Sequence, residues 1–326
     1  METMFQNSKM KRSIKSVILL LIAAAIWGFA FVAQDVASGI LPPFTITGVR
    51  SIIGFIFLMI VATINSKVKK EKLFYETKEE RKALIIVSIV CGTCFAFAYN
   101  FQQFGIALYP DDVAVSGRAG FLTGLYVLFV PVIGFIFFKK KIKLNVIISL
   151  VLAIIGLYLL CFSNGINNVY LGDLVILICG IFFALQIIYV DKYNGKVDVL
   201  KFAAYELLVC GVLSLIFAFI FEKIIIADIL RSIVPLLYLG IFSCAVADTC
   251  QIIGQKLSSN PTVDAIVMSF ESVFASIGGL LLLDQIPLIN EIIGCVIMFV
   301  AIILSQITFN CKKELQQINK NGENNV

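Results

Sequence analysis

Apolar runs of about 20 residues, the length a helix needs to cross a hydrocarbon core of about 30 Å, recur along nearly the whole chain. They fall at 17–36, 44–64, 83–107, 113–138, 144–163, 171–190, 199–221, 232–255, 262–283 and 288–309. The breaks carry turn residues or charge: Pro42-Pro43, Pro110-Asp111-Asp112, Lys139-Lys140-Lys141, Asn164-Gly165, Asn194-Gly195, Ser259-Asn260-Pro261 and Asp284 to Pro287. Barrel strands would be shorter and would alternate polar with apolar residues, so the pattern predicts an all-α membrane protein with ten transmembrane helices. Residues 1–16 form a basic lead into the first span, and 310–326, rich in Asn, Lys and Gln, read as a short disordered tail. The basic start followed by Val17 to Ala25 has the look of a signal peptide, but that apolar stretch is too long and nine more spans follow.

Composition points the same way. The chain of 326 residues is 60% hydrophobic and only 14% charged, against about 45–50% and 25% in globular proteins. It holds no histidine, which removes the usual general base and the imidazole ligands of zinc, copper and haem. No cofactor or metal is expected. Of the 26 Lys and Arg residues, Arg50 and Arg118 fall inside spans, Lys223 and Arg231 fall in loops on one side, and the other 22 lie on the opposite side. That asymmetry places both termini in the cytoplasm of a plasma-membrane protein. It also accounts for the basic balance without nucleic acid, since such charges meet an anionic lipid leaflet. Cys91-Gly-Thr-Cys94 is the only C-x-x-C; without histidine or a second pair, it reads as packing.

Self-comparison divides the chain in two. At an offset of 156, Trp27 falls on Phe183, Gly28 on Ala184, Asp35 on Asp191 and Arg50 on Glu206. At an offset of 149, Phe101-Gln102-Gln103-Phe104-Gly105 falls on Cys250-Gln251-Ile252-Ile253-Gly254. The expectation is two five-helix repeats, 17–163 and 171–309. Five is odd, so the second repeat enters the membrane upside down, as in secondary transporters that bind substrate at the midplane between repeats.

A charge at mid-bilayer costs about 2.5–3.5 kcal/mol on insertion scales, so residues that bear it should face a polar interior. Arg50, Arg118, Glu206, Asp248 and Glu271 lie within spans, and Asp35 and Asp264 near span ends. At about 1.5 Å of rise per residue, Arg50 and Arg118 sit roughly 8–9 Å below the outer surface, level with Gln102 and Gln103. Asp35 is the nearest expected partner of either arginine; otherwise they tie helix ends or line a cavity. Glu206 and Asp248 belong to an inner, acidic level. Glu271 and Trp27, the sole tryptophan, come out near the midplane. Glu271 there can bind a cationic group or carry a proton. Gly117, Gly120 and Gly124 on the fourth span, and Ser272, Ser276 and Gly279 on the ninth, form small faces that let helices approach closely, and Pro131 and Pro235 kink or start their helices.

These residues resemble the EamA-type drug/metabolite transporter superfamily. The likeness rests on Trp27-Gly28-Phe29-Ala30-Phe31-Val32, on Pro42-Pro43 followed by Arg50, and on Gly172-Asp173. It continues through Ala247-Asp248-Thr249-Cys250-Gln251, then Ser269-Phe270-Glu271-Ser272-Val273-Phe274-Ala275, to Leu281-Leu282-Leu283-Asp284. It covers about residues 17 to 309. It implies a ten-helix carrier with a central cavity that moves small metabolites, often outward. The sequence departs from that pattern at Ser272, where the family usually has proline, at Asp248 for an aromatic, at Asp284 for glutamate, and at Lys139-Lys140 for Gly-Glu.

The reading is therefore an exporter of a small amphipathic metabolite, an amino acid, organic cation or similar compound, working by alternating access of the two repeats. Trp27, Arg50, Gln102, Arg118 and Glu271 are its candidate substrate ligands, and Glu206, Asp248 and Glu271 its candidate proton carriers. Uptake by the same fold is the alternative, ahead of a membrane-embedded enzyme or a sensor. A homodimer is possible.

Overall fold

The helices begin and end where local chemistry dictates. In a computed structural model of the chain, residues 2–70, 77–110, 115–139, 142–161, 170–193, 197–258, 260–283 and 289–306 are described. The expected turns at Asp111-Asp112, Lys140-Lys141, Asn164-Gly165, Asn194-Gly195, Ser259 and Asp284 to Pro287, and the tail at 310–326, lie outside them. Helix α1 runs over Glu2–Ser38, starting earlier than its apolar stretch because no Gly or Pro interrupts the polar lead. Helix α2, Pro43–Lys69, begins with Pro43 at its first position after an extended Pro42. Helix α3, Lys78–Ala107, starts before its apolar run because Thr77 caps it: the Thr77 side chain accepts from the Glu80 amide, and its hydroxyl donates to Glu80 Oε2 at 2.8 Å.

Helix α4 is split into Val115–Gly124 and Tyr126–Phe138 by a tight turn at Leu125. Helices α5, Leu144–Cys161, α6, Leu171–Tyr193, and α7, Val199–Phe221, follow, the last capped by Asp198. A six-residue turn of helix, Ile226–Arg231, leads into α8, whose span Ile233–Leu257 contains a π-helical stretch, Tyr238–Ala247. Helix α9 is split into Pro261–Met268 and Glu271–Leu283, and α10 covers Ile289–Gln306. The described residues contain helices and no strands. Eight of the helices are long and apolar enough to cross a membrane; α5 and α10 contain shorter apolar helices, Leu144–Gly156 and Ile292–Leu304.

Helix α2 packs on α7 and α5 on α10; α3 packs on α6 as α1 does on α8, and α4 on α6 as α1 does on α9. Small residues make the crossings close. A Cβ on Gly172 would stand 2.6 Å from the carbonyl oxygen of Gly105, so neither helix tolerates a side chain there. At the α1–α8 crossing, Ser16 Oγ donates to the Gly254 carbonyl at 2.8 Å. The small faces of α4 and α9 do meet: Ser272 Oγ donates to the Gly120 carbonyl at 2.8 Å. Large apolar side chains such as Ile60, Phe135, Ile136, Phe219 and Leu281 point outward, where lipid can cover them.

Outside the spans, the carboxylate of Glu222 caps the start of α2. Its two oxygens accept from the Phe44 amide at 2.7 Å, and from the Thr45 amide and hydroxyl, both at 2.8 Å. A helix N-terminus leaves such amides without partners and favours a negative charge.

Candidate functional site

A cavity opens between helices of the first and second halves. Helix α1 contributes Trp27, Phe31 and Gln34, and α2 contributes Arg50. Tyr99 and Gln102 of α3 and Thr123 and Tyr126 of α4 complete the first half's share. Phe183, Gln186 and Ile187 of α6 face them, with Ser243 and Gln251 of α8 and Met268 and Glu271 of α9. The wall is thus mostly apolar with a few convergent polar groups, the composition of a small-molecule site.

Backbone irregularity concentrates here. Tyr126 and Glu271 each start a helical segment just after the interruption in α4 or α9. Ser243 lies in the π-helical stretch of α8 and accepts the indole N–H of Trp27 through its carbonyl at 3.0 Å; Tyr238 returns a hydroxyl bond to the Ile26 carbonyl, also at 3.0 Å. π-Helical turns recur at functional sites because they displace side chains from the regular helical register.

The charged groups are buried and incompletely paired. Arg50 is 1% exposed, and its Nε and Nη2 have no hydrogen-bond acceptor. Its guanidinium carbon lies 4.1 Å from the centroid of the Tyr99 ring. The Tyr99 hydroxyl in turn donates to Asp248 Oδ1 at 3.2 Å, while Asp248 Oδ2 is unpartnered. Glu271 is 3% exposed with Oε1 unpartnered, across from the unpartnered hydroxyl of Tyr126. Glu206 lies behind the wall and accepts from Gln186 Nε2 at 3.0 Å. Gln186 accepts from Gln251 Nε2 at 2.9 Å, and Gln255 donates to the Ile187 carbonyl at 3.0 Å, which closes a polar chain joining α6, α7 and α8. Buried amides of this kind are kept only where partners satisfy them.

Of the residues singled out in the sequence, Trp27, Arg50, Gln102 and Glu271 share the cavity wall, and Asp248 touches it through Tyr99. Arg118 does not reach it. Its Nε and Nη2 donate to the two oxygens of Asp173 at 2.7 and 2.5 Å, and its guanidinium stands 4.9 Å from the Tyr170 ring centroid. Asp173 also accepts the Tyr109 hydroxyl at 2.5 Å and the Tyr170 amide at 2.8 Å. Burial, and after it the bond to Asp173, push the Tyr109 phenol well above its ordinary pKa, so it stays a donor. The partner of Arg118 is thus Asp173 and not Asp35, because azimuth around a helix, which depth does not report, decides who meets whom. Gln103 turns away from the cavity and donates to Ser38 Oγ at 2.6 Å. Tyr99, Tyr126, Gln34 and Gln186 carry no charge and escaped the sequence reading; the offset of 156, which links Ala30 to Gln186, and that of 149, which links Tyr99 to Asp248, are signals that reach two of them.

The profile of the EamA-like transporter family matches the chain twice, over residues 14–162 and 170–307. An uncharacterized transporter of Bacillus subtilis, YoaV, is 24% identical over 92% of this chain and 99% of its own. An uncharacterized transporter of Archaeoglobus fulgidus is 25% identical over 87% of this chain and 83% of its own. The protein PagO of Salmonella typhimurium is 24% identical over 82% and 84% of the two chains. One solved crystal structure superposes with a TM-score of 0.70 over 90% of this chain and 98% of its own at 15% identity, a likeness of fold alone.

Proposed function

Because the chain belongs to the EamA-like transporter family and is an integral membrane transporter of the drug/metabolite type, we propose that the central cavity carries a small amphipathic metabolite, an amino acid or similar compound, out of the cell by alternating access. Ten transmembrane helices in two inverted five-helix repeats, with both termini in the cytoplasm of the plasma membrane, are part of this reading.

One observation carries it: the cavity wall is built from residues that correspond between the halves. Trp27 and Phe183, Ala30 and Gln186, and Phe31 and Ile187 correspond at the offset of 156, Gln102 and Gln251 at 149, and all eight line the cavity. The crossings support the same symmetry. Gly105 meets Gly172 and Ile176, and its counterpart Gly254 meets Ser16 and Leu20, which are the counterparts of those two. Binding at the interface between inverted repeats is the arrangement through which many secondary transporters achieve alternating access.

Within the cavity Trp27 and Phe31 offer apolar surface, Gln102 an amide, and Arg50 and Glu271 opposite charges. Glu271, buried and with an oxygen unpartnered, is the group assigned to proton exchange against substrate, with Glu206 and Asp248 on the inner side. Metabolite profiling of medium and cytoplasm after overexpression and deletion tests the transport reading: the substrate should rise in the medium when the protein is overexpressed. A cytoplasmic rise would instead indicate uptake. With that substrate in proteoliposomes, Glu271→Gln should abolish flux driven by a pH gradient. Unchanged pH-driven flux in that variant would refute the proton assignment and leave the transport reading standing.

A further inference from the structure

The structure assigns to Tyr99, anchored by Asp248, the task of presenting the side edge of Arg50 to an anionic oxygen group of the transported compound. This rests on the cavity being the substrate site. Arg50 is nine-tenths buried and more, lines the cavity, and among the described residues has no carboxylate within ion-pairing distance. Its two unpartnered nitrogens, Nε and Nη2, are the fork that grips a carboxylate or phosphate with two parallel bonds. A buried guanidinium left without an acceptor is costly unless something else offsets its charge. The Tyr99 ring provides that offset from the face, at 4.1 Å, and stacking leaves the in-plane N–H groups free for a ligand.

Asp248 acts at one remove. By accepting the Tyr99 hydroxyl at 3.2 Å it fixes the ring against rotation. It also draws the phenolic proton outward, which enriches the ring face that holds the cation. Tyr99 and Asp248 correspond at the offset of 149, so the pair bridges equivalent points of the two halves.

Trp27, the sole tryptophan, lines the same cavity, and its fluorescence in the purified full chain in nanodiscs reads occupancy without knowledge of the natural substrate. Three probes of similar size are titrated: phenylacetate, phenethylamine and 2-phenylethanol. Phenylacetate should bind about tenfold or more tighter than 2-phenylethanol. Arg50→Lys, which keeps the charge and loses the fork, and Tyr99→Leu should each erase that preference. Tyr99→Phe and Asp248→Ala should weaken phenylacetate about fivefold and leave 2-phenylethanol unchanged. A merely structural role would weaken all three probes alike, and that result overturns the inference. So does phenylacetate binding no better than the alcohol while either other probe binds, which leaves the cavity reading intact. If none of the three perturbs Trp27, the cavity reading falls and the inference with it.

Discussion

Arg118 and Asp173 join α4 to α6 through two hydrogen bonds, and their side chains are 18% and 9% exposed. That places the pair between exposed bridges, which contribute up to about 1 kcal/mol, and buried ones, whose disruption costs about 3–5 kcal/mol. Arg118→Ala should therefore cost about 2 kcal/mol, read as a lower Tm in detergent, and the double variant with Asp173→Ala should recover part of it. Recovery is expected because the single change leaves the Asp173 carboxylate without its guanidinium, while the double change removes that charge and leaves only the neutral Tyr109 hydroxyl and Tyr170 amide without their acceptor. The same residues show how far a sequence can be read at this scale. Charges announce themselves in an apolar span, so Arg50 and Glu271 were visible, and Trp27 was visible because it is alone. Tyr99 and Tyr126 are two of 10 tyrosines and cost little to bury, so residue type does not mark them before the cavity does. Pairing was legible least, since Asp35 and Asp173 lie near the same surface and only the turn of the helix separates them.

Apart from the polar lead of α1, the elements were legible almost to their ends, because turn residues, caps and charges bound them. Irregularities inside them were not. Leu125, Ser269 and Phe270, where α4 and α9 are interrupted, include neither glycine nor proline, and the π-helical stretch of α8 has no composition of its own. Tertiary contact sustains these departures. Ser272, just beyond the interruption in α9, bonds the Gly120 carbonyl on α4. Ser272→Ala should cost about 1 kcal/mol, measured by thermal unfolding. Close crossings set a harder limit. Gly172→Leu would drive a branched side chain into the Gly105 backbone, and folded protein should vanish from size-exclusion chromatography, whereas Gly134→Leu, with nothing within 4 Å of the added Cβ, should be tolerated.

At the scale of the molecule, the proposed topology makes a direct prediction. An epitope inserted after Lys223 should be reached by antibody in intact cells, and one inserted after Lys70 only after permeabilisation; the reverse pattern would overturn the orientation. The membrane class was legible because lipid imposes length. The cavity was legible only as an expectation, since no sequence offset states how far apart two helices stand.

The cap that Glu222 places on α2 bears on how the protein is made. The Phe44 amide waits for a carboxylate 178 residues further along, so when α2 leaves the ribosome its first turn has no partner, and none arrives until α7 has been synthesised. The early half of the chain therefore enters the membrane unfinished, although its sequence looks like a complete unit. Residues 1–163 expressed alone should be cleared by cellular proteases, and co-expression of the remainder as a separate chain should restore both pieces. The second half of the chain thus carries part of the first half's folding instructions.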